Sequence, residues 1–232
     1  MRKLLIAVLF VVSANSAFAQ KEKLGSPDLP GDLIINVGIN ALVDRPRELR
    51  LNAFGSKSVG IYYTNRVAIS PTFSFYPALG LGLEKYDFQD DITLTNNATN
   101  ETQITDISGL GVISKNRLAT TFLEAPVEFR YFPKKTTDGS GFFIAIGGSI
   151  GIRLASHMKL KYTTEEDVNV TDKFRTDYNQ STVRYGLIGR IGTRGVSGFY
   201  RVYFSQVFDD GQVPNGLANP TSYTLGISFN AF

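Results

Sequence analysis

Residues 142–162 read FFIAIGGSIGIRLASHMKLKY and alternate at period two along their whole length. Phe142, Ile144, Ile146, Gly148, Ile150, Ile152, Leu154, Ser156, Met158, Leu160 and Tyr162 fall on one side, apolar at nearly every position. Phe143, Ala145, Gly147, Ser149, Gly151, Arg153, Ala155, His157, Lys159 and Lys161 fall on the other, first small and then charged. A helix would scatter both sets around its circumference, so the segment is a strand. Gly147 and Gly151 have the spacing of a helix-dimer seam. On a strand they are one row that makes room for neighbours. A strand this long, with these two sides, restricts the chain to a few all-β architectures.

The pattern recurs seven times. DLIINVGINALV sets Leu33, Ile35, Val37 and Ile39 against Asn36, Gly38 and Asn40. TFLEAPVEFRYF sets Leu123, Val127, Phe129 and Tyr131 against Glu124, Glu128 and Arg130. Strands are expected at 32–43, 56–64, 71–88, 116–132, 141–162, 180–192, 197–208 and 221–232, with no helical period between them. The gaps at 44–55, 89–115, 163–179 and 209–220 are long and rich in Asn, Asp, Thr and Gly; those at 65–70, 133–140 and 193–196 are short. Long outer loops alternating with short periplasmic turns are the mark of a transmembrane barrel. The expected fold is all-β: an eight-stranded antiparallel up-and-down transmembrane β-barrel. Its rival is a soluble, lipocalin-like ligand carrier, whose apolar face would point inward. Against the rival, several strands run past ordinary soluble length, and the polar faces are rich in Gly, as a cramped interior requires. Tyr63, Phe73, Tyr131, Phe132, Phe142, Tyr162, Tyr200 and Phe208 lie near strand ends, where interfacial girdles are expected.

The N-terminus, MRKLLIAVLFVVSANSAFAQ, has a basic start, an apolar run over Leu4–Val12 and a small-residue cleavage pattern at Ala17-Phe18-Ala19. It reads as a signal peptide over 1–19, followed by a periplasmic linker at 20–31 and the barrel at 32–232. The apolar run is too short to span a bilayer as a helix. Without the leader, 22 basic residues stand against 21 acidic ones, a net charge of +1. No basic tail points to nucleic acid. There is no cysteine, so neither a lipid anchor nor a disulfide is available.

At Leu123, Glu124, Pro126 and the Phe129–Tyr131 strand end, the chain resembles the PorT-like outer-membrane β-barrel proteins of Bacteroidetes-type bacteria. LGISF near the C-terminus and the final Phe are also similar to that family. The resemblance implies a Gram-negative outer-membrane barrel, and one branch of the family takes part in protein secretion. Phe232 departs from the pattern, standing one residue out of phase with the outward row of Tyr223, Leu225, Ile227 and Phe229.

The inward face is expected to carry Glu84, Glu124, Glu128, Arg130, Arg153, His157, Lys159, Arg184, Arg190 and Arg201. Charges in a narrow barrel are costly unless paired, and eight strands leave a bore just filled by side chains. A plugged lumen held by ion pairs is therefore expected over a conduit. His157 is the single histidine. Its neighbour Ser156 points the other way on a strand, so a lipid-modifying enzyme is the weaker alternative, and no catalytic, cofactor or metal residue is assigned. Asp87, Asp90 and Asp91 are read as solvated loop carboxylates rather than a Ca²⁺ site. The N-x-[ST] triplets at Asn97, Asn100, Asn169 and Asn179 reflect loop composition. Pro126 lacks a ladder donor, so a bulge or local break is expected there. The expected partners are outer-membrane lipid and lipopolysaccharide, with an extracellular or envelope protein at loops 89–115 and 163–179. The expected role is structural, adhesive or partner-binding.

Overall fold

The computed structural model describes residues 31–231. The expected signal peptide, all but the last residue of the expected linker, and Phe232 lie outside them. Eight long strands form the wall: β1 (Asp32–Val43), β2 (Lys57–Thr64), β3 (Phe73–Asp87), β4 (Val112–Tyr131), β5 (Phe142–Thr163), β6 (Val183–Thr193), β7 (Val196–Tyr203) and β8 (Thr221–Ala231). Each pairs antiparallel with the next, and β8 pairs with β1 to close the barrel. Every expected strand is present. Among the described residues no helix is long and apolar enough to cross a membrane.

The apolar rows face outward. Val37, Ile61, Leu81, Phe129, Ile150, Leu187 and Ile227 are all exposed, and Ile146 and Leu225 reach 65% and 62%. On β5 this row runs from Phe142 to Leu154, about 40 Å of strand at ~3.3 Å per residue. At a tilt near 45° it rises roughly 30 Å, the thickness of a bilayer's hydrocarbon core. A soluble carrier would bury this face.

Three layers fill the interior. At the turn end, Tyr76, Phe132, Phe143 and Ala145 form an apolar floor. The middle holds the charged residues described below. At the loop end, Leu49, Tyr86, Phe88, Leu94, Leu118, Met158, Tyr178 and Phe208 form an apolar lid, much of it supplied by loops folding inward. Phe132 and Phe208, expected in the girdles, are floor and lid residues instead.

The long loops carry structure that periodicity did not reveal. Ile92–Asn96 and Thr102–Asp106 form a hairpin, and Asn169–Phe174 adds a strand to the outer end of β5. The side chain of Asn97 closes the hairpin tip by accepting from the backbone N–H groups of Thr99 and Glu101 at 3.0 and 2.8 Å.

Pro126 produces a break rather than a bulge. The β3–β4 ladder is interrupted between Pro77↔Val127 and Gly80↔Glu124 without a change of register, while Pro126↔Ser149 continues the pairing with β5. Two register shifts do occur between β4 and β5, one near Ser114 and one opposite Leu154. At the second, Leu154 and Ala155 are both exposed, and the inward phase of β5 passes from odd to even numbers. Met158 is consequently buried in the lid at 0% exposure. An extra strand residue at a bulge turns every later side chain to the other face.

Candidate functional site: the charged lumen

Seven of the ten charged or titratable residues expected inside are buried in the barrel: Glu84, Glu124, Glu128, Arg130, Arg184, Arg190 and Arg201. They form two linked groups. In the upper group, Arg184 pairs with Glu84 at 2.8 Å and with Glu124 at 2.5 Å, and Arg201 pairs with Glu124 at 3.2 Å. Tyr203 donates its hydroxyl to Glu124 at 3.0 Å, and Tyr62 donates to the same carboxylate. Tyr86 donates to Glu84 at 2.7 Å. In the lower group, Glu128 binds Arg190 at 2.8 Å and Arg130 at 3.1 Å, and Arg190 also donates to Ser228.

Aromatic faces complete the shell. The Arg184 guanidinium lies 3.5 Å from the Phe122 ring centre, and that of Arg130 lies 3.9 Å from the Tyr76 ring centre. Such stacking offsets part of the lost hydration of a guanidinium. Periodicity placed Tyr203 on the polar row, and the alternation of SVGIYY puts Tyr62 on the inward one. Reading only charges left their role as donors to Glu124 unseen. Glycine supplies the room. A Cβ on Gly82 would stand 2.6 Å from Glu124 Oε2, and one on Gly151 would stand 3.1 Å from Glu124 Cγ.

Arg153 lies higher, on the inward phase, 3.7 Å from Asp177 of the following loop. His157 and Lys159 are corrections to the expected set. Beyond the shift at Leu154 they face outward, across from Ala119 and Arg117 of β4. Ser156 turns inward and donates to Gln180 at 2.6 Å, so it shares no site with His157. Among the described residues no three His, Asp or Glu side chains are grouped to hold a metal. Asp90 is engaged by Arg50 at 2.5 Å, a contact that holds its carboxyl below the usual range.

Little open space remains among the charged side chains. The cavity beside Glu84, Arg184 and Tyr203 measures about 30 Å³ and that beside Glu128 and Arg130 about 10 Å³. These volumes suit isolated water molecules rather than a solute.

A closed barrel with an apolar belt outside and paired charges inside is a membrane-spanning barrel. The model of the outer membrane protein beta-barrel domain matches residues 32–209, and the chain belongs to that family. It is an outer-membrane protein. No curated protein matches the sequence. Among solved structures, Ail, the attachment invasion locus protein of Yersinia pestis, is similar at 10% identity, with a TM-score of 0.40 over 87% of this chain and 97% of that one. A triple-mutant porin of Rhodopseudomonas blastica is similar at 11% identity, with a TM-score of 0.21 over 87% of this chain and 99% of that one.

Proposed function

We propose that this chain is a non-conducting outer-membrane barrel that acts through its outer loops, as a structural, adhesive or partner-binding surface. The filling of the lumen at three levels is the observation that carries this reading. With no passage for a solute, the barrel holds the loops in place. The loops are tied to one another. Asn179 donates to the carbonyl of Asn100 at 2.8 Å and to Gln212 at 3.2 Å, and Ile104 N–H donates to Asn215 at 3.4 Å. Burial pushes the Tyr178 phenol beneath them up to about 12. A recess of about 350 Å³ lies between the hairpin and the last loop, lined by Glu101, Gln103, Gln212 and Asn215. It suits a polar protein surface; the segments 89–115 and 163–179 are the barrel's contact regions for a partner, and the recess adds the last loop to the first of them. The finer resemblance to PorT-like barrels at Leu123, Glu124 and Pro126 belongs to this reading, as does export by the leader. His157 receives no catalytic role.

Photo-crosslinking in intact cells tests the proposal, with the reactive group placed at Thr95, Gln103 or Glu166 and, for comparison, at Val183 on the outer wall. The loop positions should give discrete protein adducts, and the adduct at Glu166 should vanish when 92–106 is replaced by a short Gly-Ser link. Adducts with lipid alone, or steady conductance of the pure protein in planar bilayers, would overturn the reading.

A further inference from the structure

The outward faces of β3, β4 and β5 continue above the apolar belt, and there they change character. The belt ends at the cross-strand row Leu83–Thr121–Ala155. The next outward row is Lys85–Ala119–His157. Above it stands Asp87–Arg117–Lys159–Lys173, and above that Lys115–Lys161–Thr171. Six cations thus share three rows with one carboxylate, Asp87, which Arg117 holds at 3.1 Å. Among the described residues no carboxylate lies within ion-pair distance of Lys85, Lys115, Lys159, Lys161 or Lys173. These cations stand on adjacent strands within one patch.

The cluster is one-sided. At the corresponding end of the wall, β8 and β1 present Thr221, Tyr223, Ala41 and Val43, with Lys57 beside them on β2. Height is as informative as charge. Rows two residues apart rise about 5 Å on a tilted strand, so the cations begin about 5 Å above the apolar edge. Lipid phosphates lie at that boundary between hydrocarbon and head group. Neighbouring strands are about 4.8 Å apart, which lets Arg117, Lys159 and Lys173 approach one phosphate together. Like charges held this close repel unless an anion stands among them.

We infer that this outward face is a binding site for the phosphate groups of the glycolipid that forms the outer leaflet, with Arg117, Lys159, Lys161 and Lys173 as its centre and Lys85 and Lys115 at its rim. The site lies on the outward wall below the loop tips; Lys115 and Lys173 stand at the bases of the segments 89–115 and 163–179, and the site does not depend on a protein partner at the tips. It accounts for the shift at Leu154, which buries Met158 and Leu160 in the interior while turning His157, Lys159 and Lys161 toward the leaflet.

The test uses the full chain refolded in phosphocholine vesicles, with or without a tenth of the lipid as diphosphorylated lipid A. Lipid A should raise the urea midpoint of unfolding and co-purify with the barrel, and raised salt should weaken both effects. In Lys159→Gln/Lys173→Gln the apparent affinity for lipid A should fall about tenfold. Lys134→Gln/Lys135→Gln, which loses the same charge at a turn, should match the parent. Dephosphorylated lipid A and inorganic phosphate should each give no shift. The inference is overturned if the Lys159/Lys173 variant keeps the parent's affinity, if removing the phosphates leaves binding unchanged, or if free phosphate stabilises the barrel equally. The two phosphate comparisons use the parent chain, so they decide the matter even if a variant folds poorly.

Discussion

Replacing Glu124 with alanine will lower the unfolding free energy by about 3–5 kcal/mol, the usual cost of removing one member of a buried ion pair. Glu124 is 1% exposed and accepts from Arg184, Arg201, Tyr62 and Tyr203. Arg184 keeps Glu84, but Glu124 is the carboxylate that holds Arg201, so its loss leaves that cation without an ion-pair partner in the buried interior. Arg201 already has Nε and Nη2 without hydrogen-bond partners, so little can compensate. Removing both partners, as Glu124→Leu/Arg201→Leu, should recover more than half of the loss. Urea titration in vesicles, followed by heat-modifiable gel migration, measures both. A single variant as stable as the parent would mean that the network does not hold the wall together.

The second large effect concerns the outer surface. Ile146→Arg should cost about 2–4 kcal/mol in a bilayer, the range for arginine near the midplane of a lipid-facing row. Ile146 lies outward, 65% exposed, within the β5 belt. In a water-soluble barrel the same change at an exposed position would be close to neutral. The vesicle urea midpoint is again the readout. A charged substitution tolerated there would place this face in water.

The sequence alone carried the wall of the barrel because its two solvents differ so sharply. Lipid requires Ile, Leu, Phe and Val on one side of each strand, and the narrow bore requires Gly, Ser or paired charge on the other. Observed strand ends fall within a few residues of those read from alternation, apart from the outer ends of β4 and β7. The charged centre was legible for the same reason, since Glu124, Glu128, Arg190 and Arg201 sit in unbroken stretches of period two.

Alternation failed where the period itself slipped. At Leu154 two successive residues face outward, and strict counting beyond that point puts His157 and Lys159 on the wrong side. The sequence did hold a sign of the change. Above the belt Met158 and Leu160 stay apolar where an outward residue would meet head groups or water, while His157, Lys159 and Lys161, which alternate with them, are basic. The lid was illegible for another reason. Leu49, Leu94 and Tyr178 come from separate loops whose local composition reads as solvated, Phe208 lies beyond the end of β7 where alternation still ran on, and only the closed tertiary structure brings them over the lumen. The hairpin at 92–106 follows the same logic. Its Thr-rich strands bury Thr93, Leu94 and Thr102 and expose Gln103, Thr105 and Asp106, a pattern without a clean period of two.

The central claim is that adjacent residues of one strand face lipid and a packed charged interior, and the chain is well suited to testing it because it contains no tryptophan. Phe199 is buried inside β7, and its neighbour Tyr200 is exposed on the outside. Single Phe199→Trp and Tyr200→Trp proteins should be refolded in vesicles whose acyl chains carry bromine, and tryptophan emission compared with that in unbrominated vesicles. Strong quenching at position 200 and little at 199 is the predicted result. Equal quenching at both positions, or stronger quenching at 199, would contradict the account.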